Sequence, residues 1–240
     1  MNLDGYKFTA HRGIYDNKEV PENSMKAFEQ AMLKGYAIEL DIQMTKDGYL
    51  VVFHDSTLKR VCGIKDEITA LTLNEVKQAR LCGTDSKIPT FEDVLMLVSG
   101  RVPLMIEVKS TDEYEDLMPK LMALLERYEG EFIIESFDPR IVYWLKKNHP
   151  SVIRGQLSSK NIREVKNRIM KIILGQMMLN PFTKPHFVSY LYTEVTPKFY
   201  KKQHKKGREV AVWTVKSKEE YEKIKDYIDI CIFENEETTK

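Results

Sequence analysis

The sequence predicts an α/β fold, a single (β/α)8 TIM barrel spanning residues 1–240, and three observations predict it. Short β-rich runs alternate with longer helical patterns along the whole chain, which calls for parallel strands joined by helical crossovers. Eight runs suit the barrel, at 7–11, 37–42, 104–109, 132–136, 153–157, 187–192, 210–215 and 229–233. A length of 240 residues with 42% hydrophobic residues suits one large core, and no linker, internal repeat or low-complexity tract interrupts it.

The first run ends on His11, within Thr9-Ala10-His11-Arg12-Gly13. Pro21-Glu22-Asn23-Ser24 follows and leads into a helical pattern at 23–34, with Asn23 read as its N-cap and Gly35 where a C-terminal cap belongs. Period-two geometry sends Glu39 and Asp41 of the second run to one side of the strand, and Leu40 and Ile42 to the other. A further β-like run, 50–54, follows Asp47-Gly48, a strong hairpin signal, and is read as a short β-hairpin excursion after the second strand. If Asp47-Gly48 is a two-residue turn, Lys46 faces Tyr49 and Asp41 faces His54, which returns His54 to the rim beside the carboxylates. A slip of one residue would turn its side chain to the other face.

Helical patterns at 90–98, 114–128, 139–148, 160–178, 197–206 and 217–227 fill the later crossovers. Thr90 before Phe91-Glu92-Asp93, Thr196-Pro197, and Ser217 with Glu220 mark helix starts, and Gly207 marks an end. The stretch 169–182 is apolar and methionine-rich, with Lys160, Arg163, Lys166, Arg168 and Lys171 before or within it. It reads as an ordinary crossover helix with a packed loop, and alternatively as a lip for peripheral lipid contact. The polar residues 234–240 read as a loose tail.

A formal net charge of +1 gives no global field directed at nucleic acid or an anionic membrane, so no nucleic-acid partner is expected. Cys62, Cys82 and Cys231 are odd in number and form no C-x-x-C pair, which fits a reducing compartment better than a disulfide framework. The residues from Met1 to Lys7 contain no apolar h-region, and no apolar run approaches the roughly 18 residues of a membrane span. A cytoplasmic protein with no transmembrane segment is the expectation, and nothing in the pattern indicates an oligomeric state.

The chemistry-bearing residues cluster at predicted strand ends. Glu39, Asp41 and Glu107 would bring three carboxylates from neighbouring strands together, a hard-oxygen set suited to one divalent cation, Mg2+ or Ca2+. A buried salt-bridge network of these three with Lys109 and Arg12 is the competing reading of the same spacing. Imidazoles as a class titrate near neutrality, so His11 and His54 suit the acid and base of phosphodiester hydrolysis. Arg12 offers a guanidinium fork and Lys109 a point charge for a phosphate. Trp213, near the end of a late strand, could cover the alcohol portion of a substrate or a choline-type cation; core packing is the alternative. His149, His186 and His204 read as solvated loop or helix residues without a role.

The order H-R-G, P-E-N, E-x-D, T-x-D-G and H-D resembles the glycerophosphodiester phosphodiesterase family closely. The resemblance continues through His54-Asp55-Ser56-Thr57-Leu58-Lys59-Arg60, Ile88-Pro89-Thr90-Phe91-Glu92-Asp93, Ile106-Glu107-Val108-Lys109, Glu135-Ser136-Phe137-Asp138 and Val212-Trp213-Thr214-Val215. It implies the same barrel and a small-molecule glycerophosphodiester substrate, cleaved to glycerol 3-phosphate and an alcohol. By resemblance Glu39, Asp41 and Glu107 match metal ligands, His11 and His54 the acid–base pair, Arg12 and Lys109 the phosphate contacts, and Trp213 a substrate-side aromatic. Three features depart from the family: Ser24 stands for a usual threonine, Lys216 for asparagine, and the last strand ends Ile232-Phe233-Glu234 instead of I-T-D. The short connection between Arg60 and Pro89 implies a compact cover over the site. A lysophospholipase D-type activity on the same barrel and a non-catalytic barrel that binds a phosphorylated metabolite are the rival readings.

Overall fold

The computed structural model describes residues 3–160 and 168–239. Nine strands form one sheet: β1 (Phe8–Ala10), β2 (Ala37–Met44), β3 (Leu50–Val52), β4 (Leu104–Val108), β5 (Phe132–Ser136), β6 (Arg154–Ser158), β7 (Phe187–Leu191), β8 (Glu209–Val215) and β9 (Ile230–Phe233). Their order is β1-β9-β8-β7-β6-β5-β4-β2-β3, and β1 also pairs with β2. Eight strands therefore close a ring, the TIM barrel the alternation predicts, and β3 hangs on β2 outside it. The β2–β4 pair and the successive pairs from β5 to β9 are parallel, while β2–β3 is antiparallel.

Helices α1 (Met25–Leu33), α2 (Lys59–Cys62), α3 (Leu73–Val76), α4 (Phe91–Val98) and α5 (Tyr114–Leu125) belong to the first half of the chain. Helices α6 (Pro139–Asn148), α7 (Arg168–Gly175), α8 (Asn180–Thr183), α9 (Pro197–His204) and α10 (Lys218–Ile224) belong to the second. Several caps are as expected: Thr90 and Asp93 close a reciprocal capping box, and Thr196 accepts from the Phe199 N–H. The Ser217 hydroxyl accepts from the Glu220 N–H, but the Glu220 carboxylate accepts instead from the Lys216 N–H. Of the helix expected at 160–178, α7 covers Arg168–Gly175, residues 161–167 lie outside the described residues, and α8 follows beyond its end.

Contacts divide the chain into two compact units, one of residues 10–132 and one of Met1–Thr9 with Ile133–Lys240. In the first unit every position of β2 is buried, as a strand covered on both faces requires. Ile38, Leu40, Ile42, Leu104 and Ile106 of its strands are fully buried, as are Phe28 of α1 and Phe91 of α4. The connection between Arg60 and Pro89 has a small core of its own, in which Leu58, Val61, Ile68, Val76 and Leu81 pack with Val51 and Phe53. The connection is compact, as its short length implied. In the second unit Ile134, Phe187, Val188, Val210, Val212, Ile230 and Phe233 form the buried layer of its strands. Among the described residues no helix is long and apolar enough to cross a membrane.

Two local expectations are corrected. Ser24, not Asn23, caps α1: its side chain accepts from the Ala27 N–H. Asn23 instead takes a left-handed backbone (φ 53°), which frees its side chain for a partner described below. The hairpin loop holds three residues, not two. The Thr45 N–H donates to the Tyr49 carbonyl, and Gly48 supplies the positive φ of 84° that such a loop needs. The register is therefore Ile42 opposite Val52, and Asp41 accepts from the Phe53 N–H rather than facing His54.

Candidate active site

The site residues lie in the unit of residues 10–132, at the C-terminal ends of its strands and in the loops that follow them. On β2, the alternation turns Glu39, Asp41 and Gln43 to one side. On β4, Glu107 sits beside Asp41 in the parallel register. Glu39, Asp41 and Glu107 are all buried, and each offers one carboxylate oxygen within 4.8 Å of the others. Two unit negative charges at 4.8 Å repel by roughly 3 kcal/mol at an effective dielectric of about 20.

Two cations offset part of this charge. The Lys109 ammonium lies 2.7 Å from Asp41 Oδ1 and 2.6 Å from Glu107 Oε1. The Arg12 backbone N–H donates to Glu39 Oε2 at 3.0 Å, and its guanidinium Nε lies 3.5 Å from Asp41 Oδ2. The network expected as the competing reading is thus formed, with three carboxylates against two cations. Burial, then the charges of Asp41 and Glu107, push the Glu39 carboxyl well above its ordinary range. Burial works against ionisation of Asp41 too, but Lys109, His54 and Arg12 outweigh it and hold that carboxyl far below the usual range. A buried cluster of three carboxyl groups, in which the charges of Asp41 and Glu107 oppose ionisation of Glu39, supplies the oxygen donors that fit one hard divalent cation.

The backbone makes the Arg12 placement feasible. Arg12 and Gly13 both have positive φ, 57° and 79°, in a tight turn that leaves β1. A Cβ on Gly13 would approach the backbone carbonyl of Ala27 to 2.7 Å, so no side chain fits between this turn and α1. His11 precedes the turn. Its Nδ1 is buried and has no hydrogen-bond partner among the described residues. Burial, followed by the Arg12 charge, lowers the imidazole well below its ordinary value.

His54 is held quite differently. Its Nδ1 lies 2.6 Å from Asp55 Oδ1, so Nε2 is the ring nitrogen not engaged in that contact. Gln43 fixes the end of the hairpin by donating to the Phe53 and Asp55 carbonyls at 2.7 and 2.8 Å. His54 interacts electrostatically with both Asp41 and His11 despite the one-residue register difference. The strand ends at Val52, so His54 is not bound by the ladder's alternation.

Sequence reasoning left a supporting relay without a role. Glu22, almost fully buried, receives Arg12 at 2.6 Å and both guanidinium nitrogens of Arg60 at 2.6 and 2.7 Å. Arg60 in turn donates to both oxygens of Asp55. A continuous chain of ion pairs therefore runs from Arg12 through Glu22 and Arg60 to Asp55, which in turn contacts His54 Nδ1. Asn23 donates to Asp41 Oδ2 at 2.7 Å. The signals were present in Pro21-Glu22-Asn23 and in the spacing of His54-Asp55 to Arg60, but the partner of each is remote in sequence. Trp213, in the second unit, packs edge-on against Phe137 with centroids 5.6 Å apart. Its indole Nε1 is buried without a hydrogen-bond partner among the described residues. The other histidines are not simply solvated: His149 stacks on Trp144, His186 accepts from the Arg154 N–H, and His204 pairs with Asp229 at 2.8 Å.

Burial works to raise the Glu22 carboxyl, but hydrogen bonds from Arg60 and the Arg12 charge bring it down to about 2 from an ordinary 4.5. A group depressed in this way contributes its full stabilisation above the unfolded value and loses it as the pH falls from 4.5 toward 2. The linked contribution is roughly 3 kcal/mol. Urea unfolding at a series of acidic pH values is therefore expected to show a flatter acid limb in Glu22→Gln than in wild type. Parallel acid limbs would show that this carboxylate does not drive the pH dependence.

Three buried carboxylates, two imidazoles and two cations gather at these strand ends and the loops after them, a set suited to hydrolytic chemistry on a phosphate ester. The sequence model of the glycerophosphoryl diester phosphodiesterase family matches residues 11–236. A glycerophosphodiester phosphodiesterase of Caldanaerobacter subterraneus subsp. tengcongensis is 33% identical over 243 residues, which covers 95% of this chain and 94% of that one. The chain belongs to the glycerophosphoryl diester phosphodiesterase family. Among solved structures, a glycerophosphodiester phosphodiesterase of Thermotoga maritima superposes with a TM-score of 0.75 at 27% identity, covering 97% of this chain and 96% of that one. A phosphodiesterase of Oleispira antarctica, solved with its product sn-glycerol-3-phosphate, shares the fold at a TM-score of 0.81 and 20% identity, covering 95% and 92%.

Proposed function

We propose that this chain hydrolyses glycerophosphodiesters to glycerol 3-phosphate and an alcohol, with one divalent cation and a pair of histidines. The observation that carries the reading is the pair of imidazoles in opposite environments around one buried carboxylate cluster. Burial and the Arg12 charge hold the His11 imidazole below its ordinary value, and its Nδ1 has no hydrogen-bond partner among the described residues, which suits a base. His54 is oriented by the Asp55 carboxylate on Nδ1, which leaves Nε2 as the nitrogen to serve as the acid. Glu39, Asp41 and Glu107 would hold Mg2+ or Ca2+, which when bound supplies a Lewis acid for the phosphoryl oxygen and lowers the pKa of the nucleophile.

The residues then divide the work. Arg12 and Lys109 neutralise the phosphate oxygens and the charge that grows on them at the transition state. His11 accepts the proton of the attacking hydroxyl, which is water, or the glycerol 2-hydroxyl acting through a cyclic phosphate that a water then opens to glycerol 3-phosphate. As the phosphorus–oxygen bond to the alcohol breaks, His54 Nε2 gives its proton to the departing alkoxide. Trp213 serves as a substrate-side aromatic. The family model runs through both compact units, which supports reading residues 1–240 as one catalytic domain.

A lysophospholipase D-type activity is the second reading, favoured by the exposed side chains of Ile169, Ile172 and Phe182. Binding of a phosphorylated metabolite without catalysis leaves the two differently prepared imidazoles unexplained. Product analysis separates these readings. Glycerol 3-phosphate is expected from glycerophosphocholine and glycerophosphoethanolamine, at rates well above those on lysophosphatidylcholine. Cleavage of the lysolipid alone would transfer the assignment to the second reading, and binding without turnover of any diester would support the third.

A further inference from the structure

The geometry points to a docking surface for an anionic lipid bilayer, formed by α7, α8 and the turn between them. Nine large hydrophobic side chains are exposed among the described residues, and five of them, Ile169, Met170, Ile172, Met178 and Phe182, fall in this one stretch. Scattered apolar side chains are ordinary on a protein surface, but a local concentration marks a contact site. Ile169 and Phe182 are 68% and 66% exposed, well beyond what partial packing leaves uncovered.

These side chains stand on anchored backbone. The Ser158 hydroxyl donates to the Leu174 carbonyl at 2.8 Å, and the Tyr190 hydroxyl donates to the Gly175 carbonyl at 2.6 Å. Both bonds tie the C-terminal end of α7 to β6 and β7. Asn180 and Thr183 of α8 are buried, and Arg154 Nε donates to the Thr183 carbonyl. The apolar residues are therefore held outward by a fixed base.

Charge selects the occupant. Between residues 168 and 184 the sequence contains Arg168, Lys171 and Lys184 and no Asp or Glu. Lys146 of α6 adds a fourth cation: its ammonium donates to the Phe182 carbonyl at 2.5 Å and lies 5.4 Å from the centre of the Tyr143 ring. Tyr143 is itself 48% exposed, and an amphipathic ring beside cations suits the headgroup level of a bilayer. Apolar side chains interspersed with one sign of charge match an interfacial, membrane-surface element rather than a protein groove. A second copy of the chain would set this basic patch against itself in a two-fold contact and be repelled. The net charge of +1 shows that the attraction is local, not a property of the whole molecule. This surface does not depend on the catalytic reading of the barrel.

Co-sedimentation of the full chain with vesicles tests it, with phosphatidylcholine vesicles compared against phosphatidylcholine mixed with phosphatidylglycerol. Binding is expected only with the anionic mixture and is expected to weaken as salt is raised. Ile169→Ser with Phe182→Ser removes apolar contact; Lys171→Glu with Lys184→Glu reverses charge. Each pair is expected to lower vesicle binding by about tenfold or more. Circular dichroism and hydrolysis of a soluble glycerophosphodiester, both expected to match wild type, show that the variants are folded. No binding to the anionic vesicles, or wild-type binding by both double variants, overturns the proposal. So does a concentration-dependent dimer in sedimentation velocity that Ile169→Ser with Phe182→Ser abolishes, since the face would then cover a second copy.

Discussion

His11→Ala is expected to lower kcat on glycerophosphodiesters by about two to four orders of magnitude while leaving the chain folded. The size follows from removing the base: no other imidazole in this unit combines burial with an unengaged nitrogen. The fold is expected to survive because His11 Nδ1 makes no hydrogen bond among the described residues, so its loss strands no buried partner. His54→Ala is expected to cost a similar factor, but through the other limb of the pH–rate profile, since it removes the acid. Steady-state kinetics across pH check both variants. A near-wild-type kcat in either one would remove that residue from the proton transfers.

Asp41→Asn is expected to abolish measurable divalent-cation binding and activity together. Asp41 is the most connected group of the site: it meets Lys109 at 2.7 Å, Asn23 at 2.7 Å and the Arg12 guanidinium at 3.5 Å. Its carboxylate is the one most firmly held ionised, whereas Glu39 is pushed toward the neutral form by burial and by its neighbours. Substituting the amide leaves Lys109 with one carboxylate in a buried site, and breaking a buried pair costs about 3–5 kcal/mol. Isothermal titration with Mg2+ and Ca2+ reads the binding directly, and thermal unfolding separates it from loss of fold. A folded Asp41→Asn chain that binds the cation as wild type does would assign the carboxylate cluster to a structural ion-pair network.

Much of this site was legible because strand periodicity is local. Glu39 and Asp41 share a face by alternation alone, and the parallel register then brings Glu107 beside Asp41. Strand–helix alternation likewise carried the closed eight-stranded ring. What was misread turned on competing local chemistry. Asp-Gly signals a two-residue turn, but here Gly48 closes a three-residue loop, and the pairing shifts by one. Asn23 and Ser24 are both good N-caps; Asp41 claims the Asn23 side chain, so Ser24 caps the helix. The ion-pair relay was out of reach for another reason. Glu22 and Arg60 are 38 residues apart, and no periodicity links them. Only the folding of the 60–89 connection onto its own small core brings them together.

The most direct test of the account is the release of glycerol 3-phosphate from glycerophosphoethanolamine by wild type and Asp41→Asn, each with Mg2+, with Ca2+ and with EDTA. The account predicts release by wild type with at least one of the cations, none with EDTA, recovery when the cation is restored, and none from Asp41→Asn under any condition. Undiminished release by wild type in EDTA, or by Asp41→Asn, would contradict a metal-dependent phosphodiesterase built on Glu39, Asp41 and Glu107.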